Sequence, residues 1–199
     1  MDTEMLLIIG AIVVAVIAVA VVAVIIARPR IQRRQRSKRL SDQFGPEYDR
    51  TVEATGDKEA AERDLEHREA QRSSLEIRKL DPAARERYAD AWRRTEKRFV
   101  DEPTAAVRDA DELVNTVMRE RGYPIDDFDR RADVISVDHP EVVESYRAAR
   151  RIAVANEGGE ASTEDTRQAL VHYRELFSRL LDGGEEASGA DRDDRQETR

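Results

Sequence analysis

Two hydrophobic patterns divide this chain. Residues 6–27 form an unbroken run of Leu, Ile, Val and Ala with one Gly, whereas beyond it apolar side chains are spaced along polar stretches. At about 1.5 Å of rise per residue the run is about 33 Å long as a helix, enough for a hydrocarbon core of about 30 Å. It is too long for a strand. With no ionisable side chain inside, it offers no proton or ion path. Segment 1–27 is therefore expected to be a transmembrane anchor.

Past residue 80 the pattern has the helical period. Asp81 followed by Pro82 makes an N-cap with a first-turn proline, and Tyr88, Trp92, Thr95 and Phe99 then share one face. Pro103 opens a second stretch with Val107, Ala110, Val114 and Val117 aligned, and Gly122 with Pro124 stops it. Ile125, Phe128, Ala132 and Ile135 mark a shorter helix; Val142, Tyr146, Ala149 and Ala153 mark another, ending at Gly158-Gly159. Ser162 to Asp165 has the form of a capping box and leads into Leu170, Tyr173, Phe177 and Leu180. No stretch alternates with period two. The predicted fold class is all-α: a single N-terminal transmembrane helix followed by a soluble antiparallel helical bundle of about five helices over 80–181.

The intervening segments are mostly charge. Residues 28–41 are a basic juxtamembrane segment. In 42–79, Phe44-Gly45-Pro46 with Tyr48 predicts a short turn, and Asp57 to Leu75 has a helical period with only Leu65 and Leu75 large and apolar. Glu59 with Arg63 and Asp64 with Arg68 pair at i,i+4, as on a solvated helix. A charged helical spacer is expected there, since a coiled coil needs more heptad apolar positions. Residues 182–199 have no large apolar side chain and read as a disordered acidic tail.

Charge sets the expected topology. Asp2 and Glu4 precede the apolar run; Arg28, Arg30, Arg33, Arg34, Arg36, Lys38 and Arg39 follow it, with no acid before Asp42. The positive-inside rule puts the N-terminus outside and the C-terminal domain in the cytoplasm, at the plasma membrane. A cleaved signal peptide would carry its charge before a shorter run. These seven basic residues are the expected contacts with anionic lipid headgroups, at about 1 kcal/mol each. They are not a nucleic-acid site: no aromatic residue interleaves them. Of the net −8, residues 1–27 carry −2 and 28–39 carry +7, which leaves −13 on residues 40–199 to repel phosphate backbones.

Candidate chemistry is sparse. There is no cysteine, so thiol nucleophiles, disulfides and thiolate metal sites are excluded. His67, His139 and His172 sit in no HExxH motif and have no second histidine one turn away. Asp138-His139 has the form of a base with its orienting carboxylate. The plainer expectation is a helix start at which Asp138 caps and the imidazole faces water. Asp126, Asp127 and Asp129 lack the glycine and distal glutamate of a calcium loop and suit a helix's first turn. The glycine pairs are not phosphate cradles, and there is no G-x-S-x-G elbow. No catalytic residue, no cofactor and no metal ligand is assigned.

The blocks LDPAARERYADAWRRTEKRFVDEPTAAVRDADELVNTVMRERGYP, SVDHPEVVESYRAAR and GEASTEDTRQALVHYRELFSRLL, with DQFGPEYDRTVEATGD before them, resemble an uncharacterised family of small actinobacterial single-pass membrane proteins. The resemblance implies a membrane anchor with a helical cytoplasmic domain and brings no activity or site residue with it. The leading expectation is a membrane-anchored, cytoplasm-facing interaction or scaffold protein with a cytoplasmic protein partner. The alternative is a small-ligand sensor or enzyme whose site is assembled between helices around His139 and His172.

Overall fold

A computed structural model of the chain describes residues 32–182. Among them are eight helices and no strand. None of these helices is long and apolar enough to cross a membrane. The expected anchor at 1–27, Arg28, Arg30 and the tail from 183 onward lie outside the described residues. The chain divides after Asp42 into two units. Helix α1 covers residues 32–44; the rest of the description concerns the unit that begins at Gln43.

That unit contains α2 (Pro46–Thr55), α3 (Lys58–Ser73), α4 (Pro82–Asp101), α5 (Pro103–Arg121), α6 (Phe128–Asp138), α7 (Val143–Glu157) and α8 (Thr163–Asp182). Prolines open α2, α4 and α5, where a missing N–H costs nothing. Side-chain caps begin α3, α4 and α6: Asp57 accepts from the Glu59 amide, Asp81 from Ala84 and Asp127 from Arg130. At α8, Ser162 Oγ accepts from the Asp165 amide while the Asp165 carboxylate accepts from the Ser162 amide, completing the capping box.

The helices from α4 to α8 are the five that the apolar stripes of 80–181 predict. Their relative directions follow from which ends meet. Tyr88 reaches Glu120 while Arg98 reaches Asp109, so α4 and α5 are antiparallel. Asn156 donates to the Thr104 carbonyl and Arg150 pairs with Asp111, so α5 and α7 are antiparallel as well. Arg179 of α8 meets Glu141 just ahead of α7, and Trp92 and Glu96 of α4 meet Phe177 and Arg174 of α8. The exception is α5 beside α8, which run parallel: Asp111 meets Tyr173 and Arg121 meets the Leu180 carbonyl. Their shared core holds Trp92, Val114, Met118, Ile135, Tyr146, Tyr173, Leu176 and Leu180.

The sequence expectation of a solvated spacer over 42–79 is corrected. Helix α3 packs on α6 and on α2, and it buries Ala61, Glu62, Leu65 and Arg68. Phe44 is fully buried, and the nearly buried Tyr48 donates its hydroxyl to Glu62 at 2.9 Å. The physical reason is that this helix buries paired charges rather than large apolar groups. The compact unit thus begins near Gln43, not near Leu80.

The irregular link from α3 to α4 is fastened to the end of α5. The Arg78 amide donates to the Arg121 carbonyl at 2.8 Å, and the Arg121 guanidinium donates to the carbonyls of Arg78 and Leu180. This close approach demands glycine at position 122. Its φ is +94°, and an added Cβ would sit 2.6 Å from the Glu76 carbonyl oxygen.

Candidate functional site

Charged side chains from three helices meet at Glu47 of α2, and a fourth helix, α6, joins through Arg68. Its carboxylate, 2% exposed, accepts two hydrogen bonds from Arg147 of α7, at 2.7 and 2.8 Å. It accepts another from Arg68 of α3 at 2.8 Å and a longer one from Arg50 at 3.4 Å. Arg68 also pairs with Asp64 at 2.7 Å and with Asp133 of α6 at 3.2 Å. The forked guanidinium is what allows one arginine to serve several carboxylates in fixed directions. Burial pushes the Glu47 carboxyl up, but the hydrogen bonds and charge of Arg147, with Arg68 and Arg50 behind, outweigh it and hold the group below its ordinary value. Asp133 goes the other way: burial raises it, and Arg68 only partly offsets that.

Outside this network lies an open groove of about 550 Å³. Arg50, Arg147, Arg150 and Arg151 line it, and Phe128 and Val154 supply apolar surface, with Asp129 the one acidic lining residue. The arginines differ in what they already hold. Arg147 is committed to Glu47. Arg50 pairs with Glu144 at 3.0 Å. Arg150 and Arg151 have one long contact each, to Asp111 and Glu144, both at 3.4 Å. Val154 is half exposed. Behind Phe128, whose ring lies 5.0 Å from that of Tyr146, the Tyr146 hydroxyl is buried beside Arg131. Burial pushes the Tyr146 phenol up to about 12, with the nearby Arg131 charge pulling it down in part. A smaller cleft of about 370 Å³ between α4 and α5 offers less, because its Arg98 already bonds Glu102 and Asp109.

The two core histidines sit in different settings. His139 follows the last residue of α6 and is buried, so the expectation of a water-facing helix start is corrected. Burial lowers its pKa; Asp138 and Glu141 oppose the shift. Asp138 ends α6 instead of capping a start, and accepts from Arg72 and Tyr123. His172 is half-buried on α8. Among the described residues, no group of three or more His, Asp or Glu could hold a metal ion. Asp127 is an N-cap, Asp126 pairs with Arg130, and Ile125 stands exposed before α6 rather than within its stripe. Of the basic juxtamembrane residues, Arg33, Arg34, Lys38 and Arg39 are exposed and Arg36 is half-buried.

No sequence motif announces Glu47 or the groove. Apolar periodicity on α7 picks out Tyr146, Ala149 and Ala153 and passes over the arginines between them. The available signal is Arg147, Arg150 and Arg151 in a domain of net negative charge. No family model, no curated protein and no solved structure matches the chain.

Proposed function

We propose that this chain is a membrane-anchored binding protein, with its helical domain on the cytoplasmic side and an interaction or scaffold role exerted through the arginine-lined groove. The observation that carries the reading is the groove itself: accessible guanidiniums beside exposed apolar surface, on a platform fixed from below by the Glu47 network. Rigid charged rims around apolar patches are what recognition surfaces require. The apolar run at 6–27, the basic residues after it and the resemblance to actinobacterial single-pass membrane proteins support the anchor and its direction. The basic juxtamembrane segment would lie against anionic headgroups. The partner is a cytoplasmic protein, and the acidic body disfavours nucleic acid.

A photo-crosslinking amino acid tests this in native membranes. Placed at position 154 or 151 of the full chain, it should give a discrete adduct that the same group at the exposed Arg93 on α4 does not give. Equal adduct patterns at all three positions would contradict the assignment of this face.

A further inference from the structure

The groove's chemistry identifies the group it is built to take. Arg150 and Arg151 each carry several N–H donors in a planar fork, yet each gives only one long contact to a carboxylate. Arg50 stands across from them on α2, held by Glu144. One carboxylate can engage several such forks, as Glu47 does with Arg147 and Arg68; a phosphate monoester, with two charges and three terminal oxygens, matches two guanidiniums in both charge and acceptor number. The neighbouring wall is apolar rather than polar, made by Phe128 and the half-exposed Val154. A bare inorganic ion leaves that wall wet. An anion with an aromatic or aliphatic body covers it, and about 550 Å³ is the size of an ordinary small-ligand pocket. Asp129 on the rim selects against a ligand that presents negative charge all round.

We propose that the groove between α2, α6 and α7 binds a phosphate monoester borne on an apolar body, with Arg150 and Arg151 gripping the phosphate and Phe128 and Val154 covering the body. This rests on the reading of the groove as the binding face; the ester fills the groove itself, and the protein partner of that reading meets the exposed rim around it. Both a soluble phosphate ester and the headgroup of an anionic lipid present that chemistry.

The test uses the full chain in nanodiscs of phosphatidylcholine, with phenyl phosphate titrated calorimetrically at low salt. Saturable binding is expected, weakened about tenfold or more in the double variant Arg150→Gln/Arg151→Gln with circular dichroism unchanged, since each charge-assisted bond lost is worth a factor of about ten. Phenol should not bind, and inorganic phosphate should bind several-fold more weakly. Discs that also contain phosphatidic acid separate the sources. Competition with phenyl phosphate assigns the site to a lipid headgroup, and undiminished binding assigns it to a soluble ester. No saturation up to about 10 mM, or equal binding by the double variant, overturns the proposal. If phenyl phosphate fails to bind while the crosslink at position 154 persists, the phosphate inference falls and the binding face stands; loss of both removes the face.

Discussion

Replacing Glu47 by Gln removes one buried charge and little volume, so its cost measures what the network does. The carboxylate receives three short charge-assisted hydrogen bonds, two from Arg147 and one from Arg68. At about 1.5–3 kcal/mol each they would sum well above any single-residue effect, but the survivors compensate unequally. Arg68 keeps Asp64 at 2.7 Å and Asp133 at 3.2 Å, so it remains paired. Arg147 keeps only Glu144, at 3.7 Å, with a side chain 12% exposed, and is left as a buried, poorly compensated cation. Breaking one side of a buried pair in this way costs about 3–5 kcal/mol, and the lower half of that range is expected here because Arg68 is retained. Glu144→Gln is the control: its carboxylate is 55% exposed, and its loss should cost under about 1 kcal/mol. Urea unfolding of residues 43–199 followed by far-ultraviolet circular dichroism reads both. A Glu47→Gln loss below about 1 kcal/mol, or equal losses for the two variants, would refute the claim that this network fixes α2 and α3 to the bundle.

Trp92 stacks on Phe177 at 4.7 Å between centroids and donates its indole N–H to Glu96, so Trp92→Ala should cost about 3–5 kcal/mol in the same assay; a loss under about 1 kcal/mol would place it outside the working core. A fragment of residues 80–181 lacks Glu47 and Arg68, the partners that Arg147 and Asp133 need, and should melt well below residues 43–199; equal melting temperatures would restore the spacer reading. Stability should fall with acid in two steps. His139, lowered by burial from its ordinary 6.5, and Glu47, held below its ordinary 4.5, both bind fewer protons folded than unfolded, so the contribution of each is complete above its ordinary value and is lost as pH falls beneath it. Asp133, raised by burial above its ordinary 3.8, works in the opposite sense and blunts the lower step. Melting temperature against pH should show the lower step disappear in Glu47→Gln and the upper one in His139→Ala.

What the sequence discloses follows from what kind of surface each helix buries. Helices α4 to α8 bury apolar stripes, so their periodicity, their prolines and the capping residues Asp81 and Ser162 locate them. Helices α2 and α3 bury Glu47, Glu62 and Arg68, whose partners are up to 100 residues away in the chain. A charge that is buried because of a distant opposite charge looks, in the local sequence, like a solvated one. The i,i+4 pair Asp64–Arg68 is real, but Arg68 turns its other donors inward to Glu47. The helix-start expectation at Asp138-His139 fails for a related reason. An aspartate ahead of His-Pro suits a cap, yet the carboxylate is claimed by Arg72 and Tyr123 from other parts of the chain, and α6 runs through to it. The groove is invisible for the same cause, since its arginines come from α2 and α7, brought together only by the fold.

The claim of a binding domain tethered at the inner face of a membrane is tested most directly by paired reporters fused after Leu181 of the full chain. Seven basic residues follow the apolar run and none of the side chains before it is basic. The fusion should therefore sediment with membranes, with a cytoplasmic reporter active and an alkaline phosphatase silent. An active phosphatase with a silent cytoplasmic partner, or a fusion that stays in the supernatant, would contradict it.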